Sequence, residues 1–580
     1  MLVLLLSPED TPFEGPWTRE SWHLVVDLGW AGTCVYAEWA KELSCSVYGF
    51  HTLGEEIKDV QRVREALQVG RGHLVDAEGI DWWDMMGPAR YPELQEQLLL
   101  EKLKRQIPPR AEIRASRPHR LVQALGAVLG HEIGSYRNRS TSRIRTYAKD
   151  TRTLRLHQML GIALDKWDAD YGLRRFTAAR KTKSSKACVL LPSSYVNVSR
   201  ILSAFASMLP DRRFLLVTTR ASGHLNEAPP NVEIASLASY AAIPRVRETE
   251  KEIAHLIDRW RGLAKLLLDR EDWRRVMQRG CYDIFPRWLR IGLRVRDAWR
   301  RTIEREPIAG VLCGDENNPF NRLPVLLAQN RKLPAVSCSH GALDMNVLLR
   351  GVGADVYLAR GEMEKDYLLR RCAVAPERLV VGAPRSFAGV EKAAESRKDQ
   401  VVFFSEPYEL YSGRTDLFYG EVLPQLTAVA RAQGKRAVIK LHPFENLRER
   451  RKLVDRILPE EFRAVVELTN EPLTDAFLDR TWFALTVESS VAVDCALRLV
   501  PCFLCSWFEL GLFGYGRQYE EFGAAKRLRS PQDIAGIPEI LEAAGTPRTV
   551  PEGLVQVVAP EGLSALFRGK LDPHPVAAGG

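Results

Sequence analysis

Short apolar runs, each closed by a glycine, a serine, an acid or a histidine and followed by a helical pattern, recur along the whole chain. The runs at 1–6, 22–28, 187–191, 214–218, 310–313, 335–338, 356–358 and 379–381 read as strands, as do those at 401–404, 437–441, 464–468, 482–487 and 502–505. Among the later ones, 420–433, 447–457 and 490–499 read as helices. Strands that alternate with helices demand parallel sheets wound by right-handed crossovers. So many strands exceed one sheet, and 580 residues exceed one core. The stretch EKAAESRKDQ at 391–400 is charged and almost free of bulky apolar residues, which makes it the expected linker. The fold class expected is therefore α/β: two doubly wound domains in series, 1–388 and 399–545, joined by a linker at 389–398 and followed by a Pro/Gly-rich tail at 546–580.

The N-terminal domain is oversized, and its excess coincides with the positive charge. The chain carries a net +9, but residues 102–183 hold 20 Lys/Arg against 6 Asp/Glu, and residues 257–305 hold 14 against 7. The rest of the chain is therefore net acidic. Two helical basic inserts, at about 92–183 and 246–305, account for this. The second interleaves arginines with Trp260, Trp273, Trp288 and Trp299, a pattern suited to an anionic membrane surface or equally to tryptophans packed inward. RNA- and DNA-binding motifs are not evident, and nucleic acid is not an expected partner.

Nothing in the chain is apolar over the ~18–20 residues a membrane span needs. The apolar start at 1–6 lacks a basic flank and runs into Ser7-Pro8-Glu9-Asp10, so it reads as a first strand and not as a signal peptide. Ten cysteines sit mostly in apolar runs, as buried thiols of a reducing compartment would. A cytoplasmic location is expected, with peripheral attachment to the inner membrane face through 257–305. The Cys502/Cys505 pair encloses Phe503-Leu504, has no second pair near it, and reads as structural.

Four polar constellations fall at strand ends, where open parallel sheets bind ligands. Lys440-Leu441-His442-Pro443 ends one strand, and the proline keeps His442 extended. Glu488-Ser489-Ser490 ends another and opens a helix; its hydroxyls suit an anion, or a simple cap. Gly314-Asp315-Glu316 places two carboxylates where a general base would stand, though acids also cap helix starts. Ser339-His340-Gly341 ends a fourth strand. Two come from each domain, and domains facing across a cleft would unite them. An anion site in one and a base in the other suit a transferase with a nucleotide-activated donor.

This arrangement resembles the GT-B glycosyltransferase fold, with its two Rossmann-like domains. The His442-Pro443 motif, followed about 45 residues later by Ser489-Ser490, resembles the bacterial sialyltransferases and the capsule Kdo transferases, which use CMP-sugars. With His340-Gly341 added, the set is similar to the CDP-glycerol glycerophosphotransferases of wall teichoic acid synthesis. The resemblance covers roughly 308–515. It implies that His442, Ser489, Ser490 and Lys440 hold donor phosphates, and that Ser405, Glu406 and Glu488 line the nucleotide. In the sialyltransferases an acidic pair before a glycine carries the base; here Gly314 comes first, which leaves the base open among Asp315, Glu316 and His340. The resemblance implies no metal and no cofactor besides the nucleotide-sugar substrate. The activity implied is transfer of a sugar from a CMP- or UDP-sugar to a surface-polysaccharide or lipid-linked acceptor. Polyol-phosphate transfer and a UDP-N-acetylglucosamine 2-epimerase-like isomerisation are the alternatives, and a binding protein that lost catalysis is a further one.

Overall fold

A computed structural model describes the chain except residues 9, 30–32, 51–56, 87–90, 131, 138–185, 242–246, 279–281, 284, 342, 344, 390–396, 409–414, 444, 510–514, 546–548 and 569–580. It is a mixed α/β structure built on three parallel sheets. The first sheet contains β1 (Leu2–Leu6), β2 (Leu24–Asp27), β3 (Ser46–Tyr48), β4 (Glu112–Ala115) and β5 (Gly134–Ser135), in the order β3-β2-β1-β4-β5. The second contains β6 (Cys188–Ser193), β7 (Arg213–Thr218), β8 (Val232–Ser236), β9 (Ile308–Cys313), β10 (Ala335–Cys338), β11 (Val356–Ala359) and β12 (Leu379–Val381), in the order β12-β11-β10-β9-β6-β7-β8. The third contains β13 (Gln400–Phe404), β14 (Arg436–Lys440), β15 (Val466–Thr469), β16 (Thr481–Thr486), β17 (Cys502–Cys505) and β18 (Lys526–Leu528), in the order β15-β14-β13-β16-β17-β18.

The central strands are near-continuous apolar runs because helices cover both faces. In the third sheet Val401, Phe403, Ile439, Phe483, Leu485 and Phe503 share one core with Phe418, Tyr419, Val422 and Leu426 of the helix Thr415–Ala432. In the second, Val189, Leu191, Leu216, Leu312 and Val336 pack with Val198, Ile201, Leu202 and Phe205 of the helix Val196–Ser207. Each sheet has one point where the order of winding reverses: β1 beside β4, β6 beside β9, and β13 beside β16. There the connections leave in opposite directions and open a crevice at the strands' carboxyl ends.

Packing divides the chain into two units. One comprises Met1–Val63, Tyr91–Arg155 and Gly389–Glu552; the other comprises Arg64–Arg90, Leu156–Ala388 and Gly553–Gly580. The span 1–388, expected as one doubly wound domain, thus holds two sheets. The part of the 92–183 insert that is described is a winding of the first sheet: the helices Tyr91–Gln106 and Arg120–Leu129 flank β4, which pairs with β1. Most of the remaining insert, and most of the linker at 389–398, lie outside the described residues. In the tail, the helix Pro560–Ala565 brings Leu563, with Phe567 just after it, into the core of the second sheet.

The second basic insert is helical, as its pattern demands: Arg247–Asp269, Glu271–Gln278 and Phe285–Arg305. Its tryptophans point inward. Trp260, Trp273, Trp288 and Trp299 are all buried. Trp273 lies 5.3 Å from Trp83 and Trp288 5.4 Å from Trp82, centroid to centroid. Gly292 lets Trp82 approach so closely that a Cβ there would fall 2.2 Å from its ring. Each buried aromatic contributes a few kcal/mol of apolar burial, which binds Trp82-Trp83 to the insert. The tryptophans are therefore not the interfacial anchors that one sequence reading allowed. We expect their fluorescence emission to stay unshifted when anionic vesicles are added; a blue shift on vesicle binding would contradict the packing. Among the described residues, no helix is long and apolar enough to cross a membrane.

Candidate functional site

In the third sheet the reversal of strand order sets the end of β13 beside the end of β16, and this brings Ser405-Glu406 against Thr486-Val487-Glu488. One oxygen of Glu406, Oε1, accepts from Thr486 Oγ1 at 3.1 Å and from the backbone N–H groups of Val487 and Glu488 at 3.3 and 3.2 Å. Burial raises the Glu406 carboxyl above its ordinary range, against the lowering by these donors. Ser405 is buried, and its Oγ bonds Tyr419 at 2.7 Å and donates to Glu445 Oε1 at 2.8 Å. Glu445 also accepts from the backbone N–H of His442 through Oε2 at 2.8 Å, so Ser405 and His442 meet on one carboxylate. Burial raises Glu445 as well.

The other expected donor-side residues are placed as follows. Lys440 pairs in register with Phe404, is buried, and spends one donor on the Leu441 carbonyl at 3.1 Å. Burial lowers its pKa. Ser489 and Ser490 follow directly after Glu488 at the β16 end and precede the helix Val491–Leu497. Ser489 Oγ accepts from Val491 N at 3.4 Å, while the side chain of Ser490 makes no cap. That helix has only seven residues, so its dipole is short. Cys502 and Cys505 are both buried, and burial pushes the Cys505 thiol well up, as the structural reading requires.

The second sheet has a corresponding polar end, where β6 lies beside β9. Ser193 ends β6 and Ser194-Tyr195 follow it, Gly314-Asp315-Glu316 follow β9, and Ser339-His340-Gly341 follow β10. The Tyr195 hydroxyl donates to Asp315 Oδ2, and its ring stands edge-on to His340 at 5.2 Å between centroids. Asp315 Oδ1 accepts from the N–H groups of Asn317 and Asn318 at 3.1 and 3.3 Å. His340 Nδ1 lies 3.1 Å from the carbonyl of Gly314. A carbonyl only accepts, so Nδ1 carries a hydrogen, and of the two uncharged tautomers the contact selects the one with its lone pair at Nε2. The Gly341 carbonyl, in turn, accepts from Ser339 Oγ at 2.7 Å and from Arg360 Nη2 at 2.9 Å, and Arg360 is held by buried Glu364.

Glu316 turns away from this group. Its carboxylate accepts from Gly353 N at 2.6 Å and Ala354 N at 3.0 Å and pairs with Arg322 at 3.1 Å. Gly353 is needed there, since a Cβ would fall 2.7 Å from Glu316 Oε2. Of the three candidate bases, Asp315 and His340 stand together, whereas Glu316 braces a loop.

No family model and no curated protein matches this chain. Solved structures similar to it include a putative UDP-N-acetylglucosamine 2-epimerase from Listeria monocytogenes, with 12% identity over 64% of this chain and 94% of that one and a TM-score of 0.41. S. aureus MnaA in its structure with UDP shows 14% identity over 65% and 94%, with a TM-score of 0.42. The calicheamicin glycosyltransferase CalG4 shows 15% identity over 66% and 94%, with a TM-score of 0.34. Likenesses this distant decide neither activity nor substrate.

Three site residues carried no signal of their own in the sequence. Tyr195 reaches Asp315 across 120 positions. Tyr419 sits inside a helix that otherwise reads as core. Glu445 was the nearest to legible: His-Pro-x-Glu at 442–445 is a compact turn pattern that places a carboxylate beneath the histidine.

Proposed function

We propose that this chain is a nucleotide-sugar-dependent glycosyltransferase. The carboxyl end of the third sheet takes the donor nucleotide, and His340 accepts the acceptor's proton. The observation that carries the reading is the hydrogen-bonded set at the β13–β16 reversal, Ser405, Glu406 and Glu488, with His442 tied to it through Glu445. In this reading His442, Ser489 and Ser490 hold the donor phosphates, with Lys440 behind them, while Ser405, Glu406 and Glu488 line the nucleotide. Histidine and hydroxyl donors beside a leaving phosphate would stabilise the charge that develops as it departs. The reading calls on no cofactor beyond the donor.

His340 is assigned the base because the alternatives are occupied. Asp315 receives Tyr195 and two backbone N–H groups, and Glu316 receives two N–H groups and Arg322. In the transfer, the acceptor's hydroxyl oxygen bonds to the anomeric carbon, the bond from that carbon to the phosphate oxygen breaks with its electron pair, and the proton passes to His340 Nε2. The acceptor proposed is a surface polysaccharide or lipid-linked glycan in the cytoplasm, and the arginines of 257–305 offer an electrostatic route to an anionic membrane face.

The test offers the protein CMP-, CDP-, UDP- and GDP-activated donors and measures nucleotide binding and release, with His442→Ala alongside. One nucleotide class should bind, and His442→Ala should weaken it about tenfold or more. Absence of binding to every class would sink the reading. Conversion of UDP-N-acetylglucosamine to its 2-epimer would favour isomerisation, and release of CMP from CDP-glycerol with glycerol phosphate passing to an acceptor would favour polyol-phosphate transfer.

A further inference from the structure

We infer that Glu445 is the positioning residue for His442, a role that rests on the nucleotide-binding reading for its consequence but on geometry for its existence. The Glu445 side chain has no exposed surface, and each of the contacts it makes is with a donor. Oε2 accepts from the His442 N–H at 2.8 Å. Oε1 accepts from Ser405 Oγ at 2.8 Å and Arg450 Nε at 2.7 Å. The backbone closes the same loop in reverse, with Glu445 N donating to His442 O at 2.9 Å. Both backbone groups of His442 are therefore held by one residue three positions on.

That matters because the residue after His442 is a proline. Pro443 has no N–H and a fixed φ, so it cannot help pin the turn by hydrogen bonding. Glu445 therefore adds at His442 the hydrogen bonds that Pro443 cannot supply, on top of the extended backbone the proline imposes. Glu445 also joins neighbouring strand ends: Ser405 follows β13, and His442 comes just after β14. Its own position is locked from below. Arg450 lies on the helix Leu447–Ile457, which Asn446 caps through Arg448 N at 2.9 Å and Glu449 N at 3.2 Å, and the Arg450 guanidinium lies 5.6 Å from the Tyr419 ring centre.

Three donors select an acceptor-only partner. Glutamine is nearly isosteric, but it replaces one acceptor oxygen with a donating NH2, which must then face either the His442 N–H or the Ser405–Arg450 pair. Glu445→Gln is therefore expected to disturb His442 nearly as much as alanine would.

The experiment is a double-mutant cycle on the full-length protein, with calorimetric binding of UDP and CMP to wild type, Glu445→Gln, His442→Ala and the double variant. Glu445→Gln should weaken the bound nucleotide about tenfold to a hundredfold. In the His442→Ala background it should add no more than about twofold, because contacts that act through one another are not additive. Wild-type affinity in Glu445→Gln, or a full additive loss in the double variant, would overturn the inference. If wild type binds neither of these nor CDP or GDP, the nucleotide reading fails on its own, and Glu445 is judged by the rate at which diethyl pyrocarbonate modifies His442, followed by mass spectrometry. That rate should change at least about threefold in Glu445→Gln while exposed His255 reacts unchanged; equal rates at His442 would reject the role. Should Glu445→Gln fail to fold, Arg450→Met removes one donor and must shift both readouts the same way, and no shift would count against the inference.

Discussion

His340→Gln is expected to bind donor nucleotide as wild type does and to turn over about a thousandfold more slowly. Glutamine can keep the hydrogen bond that fixes the ring, since its amide N–H can still donate to the Gly314 carbonyl that His340 Nδ1 contacts at 3.1 Å. It cannot accept a proton at the position of Nε2. A positioned base of this kind contributes roughly 10²–10⁴-fold, and donor binding, which the proposed function assigns to the third sheet, should not register the change. Single-turnover rates and nucleotide affinity, measured separately, distinguish the two effects. Asp315→Asn and Tyr195→Phe should each slow turnover less than His340→Gln, because they disturb a partner that flanks the ring and not the proton acceptor. If Asp315→Asn were silent in binding and abolished turnover while His340→Gln stayed active, the carboxylate would be the base and the histidine a bystander.

The sequence made the apolar strands legible, the edge strands at 379–381 and 464–468 among them, and concealed the short or polar ones. Buried parallel strands are apolar on both faces, so 187–191, 310–313, 401–404 and 502–505 stand out as runs, and each matches a strand to within one or two residues. Ser46–Tyr48, Gly134–Ser135, Val232–Ser236 and Lys526–Leu528 are outermost strands, half exposed and partly polar, and they produce no run. Glu112–Ala115, which reads Glu-Ile-Arg-Ala, is interior yet alternates in polarity. With β3, β4 and β5 invisible, the first two strands look like the beginning of a larger sheet, although they belong to one of their own.

The candidate site was legible for a related reason. Polar residues that end an apolar run mark the carboxyl end of a strand wherever the run is buried, which is why Ser405, His442, Glu488, Asp315 and His340 all fall at such ends. What the run cannot express is which side chain serves another. Asp315 and Glu316 are adjacent and chemically alike, but one meets Tyr195 and the other meets Arg322 and the 353–354 backbone. That division is decided by β6 and by the segment before β11, both remote in sequence.

Arg296→Met should lower the stability of the unit that contains it by about 3–5 kcal/mol at neutral pH. Arg296 is 4% exposed in its side chain and serves three acids at once. Nη1 lies 2.8 Å from Asp76 Oδ2 and 2.9 Å from Glu252 Oε1, and Nη2 lies 2.8 Å from Glu252 Oε2 and 2.7 Å from Asp297 Oδ1. Methionine matches the aliphatic stem, so the loss measures the charge and not a cavity. Asp76 remains bonded to Trp82 Nε1 and Ile80 N, and Glu252 to Ala77 N, but their negative charges lose the cation that offsets their burial. The pH dependence identifies the cause. Burial pushes Glu252 up, yet the Arg296 guanidinium and the Ala77 N–H outweigh it and hold the carboxyl below its ordinary value of 4.5. In wild type this group therefore adds stability that is present above its ordinary range and is lost as pH falls through the lowered value. In Arg296→Met the burial is unopposed by the guanidinium and the carboxyl rises instead. Its penalty is then greatest at neutral pH and is relieved as pH falls and the acid takes up a proton. Urea midpoints for wild type and variant should accordingly begin to converge as pH falls toward the ordinary carboxylate value of 4.5 and meet only below it. A deficit that stays constant with pH would locate the loss in packing, and Arg296→Lys, which keeps a charge but not the two-pronged geometry, should recover only part of it.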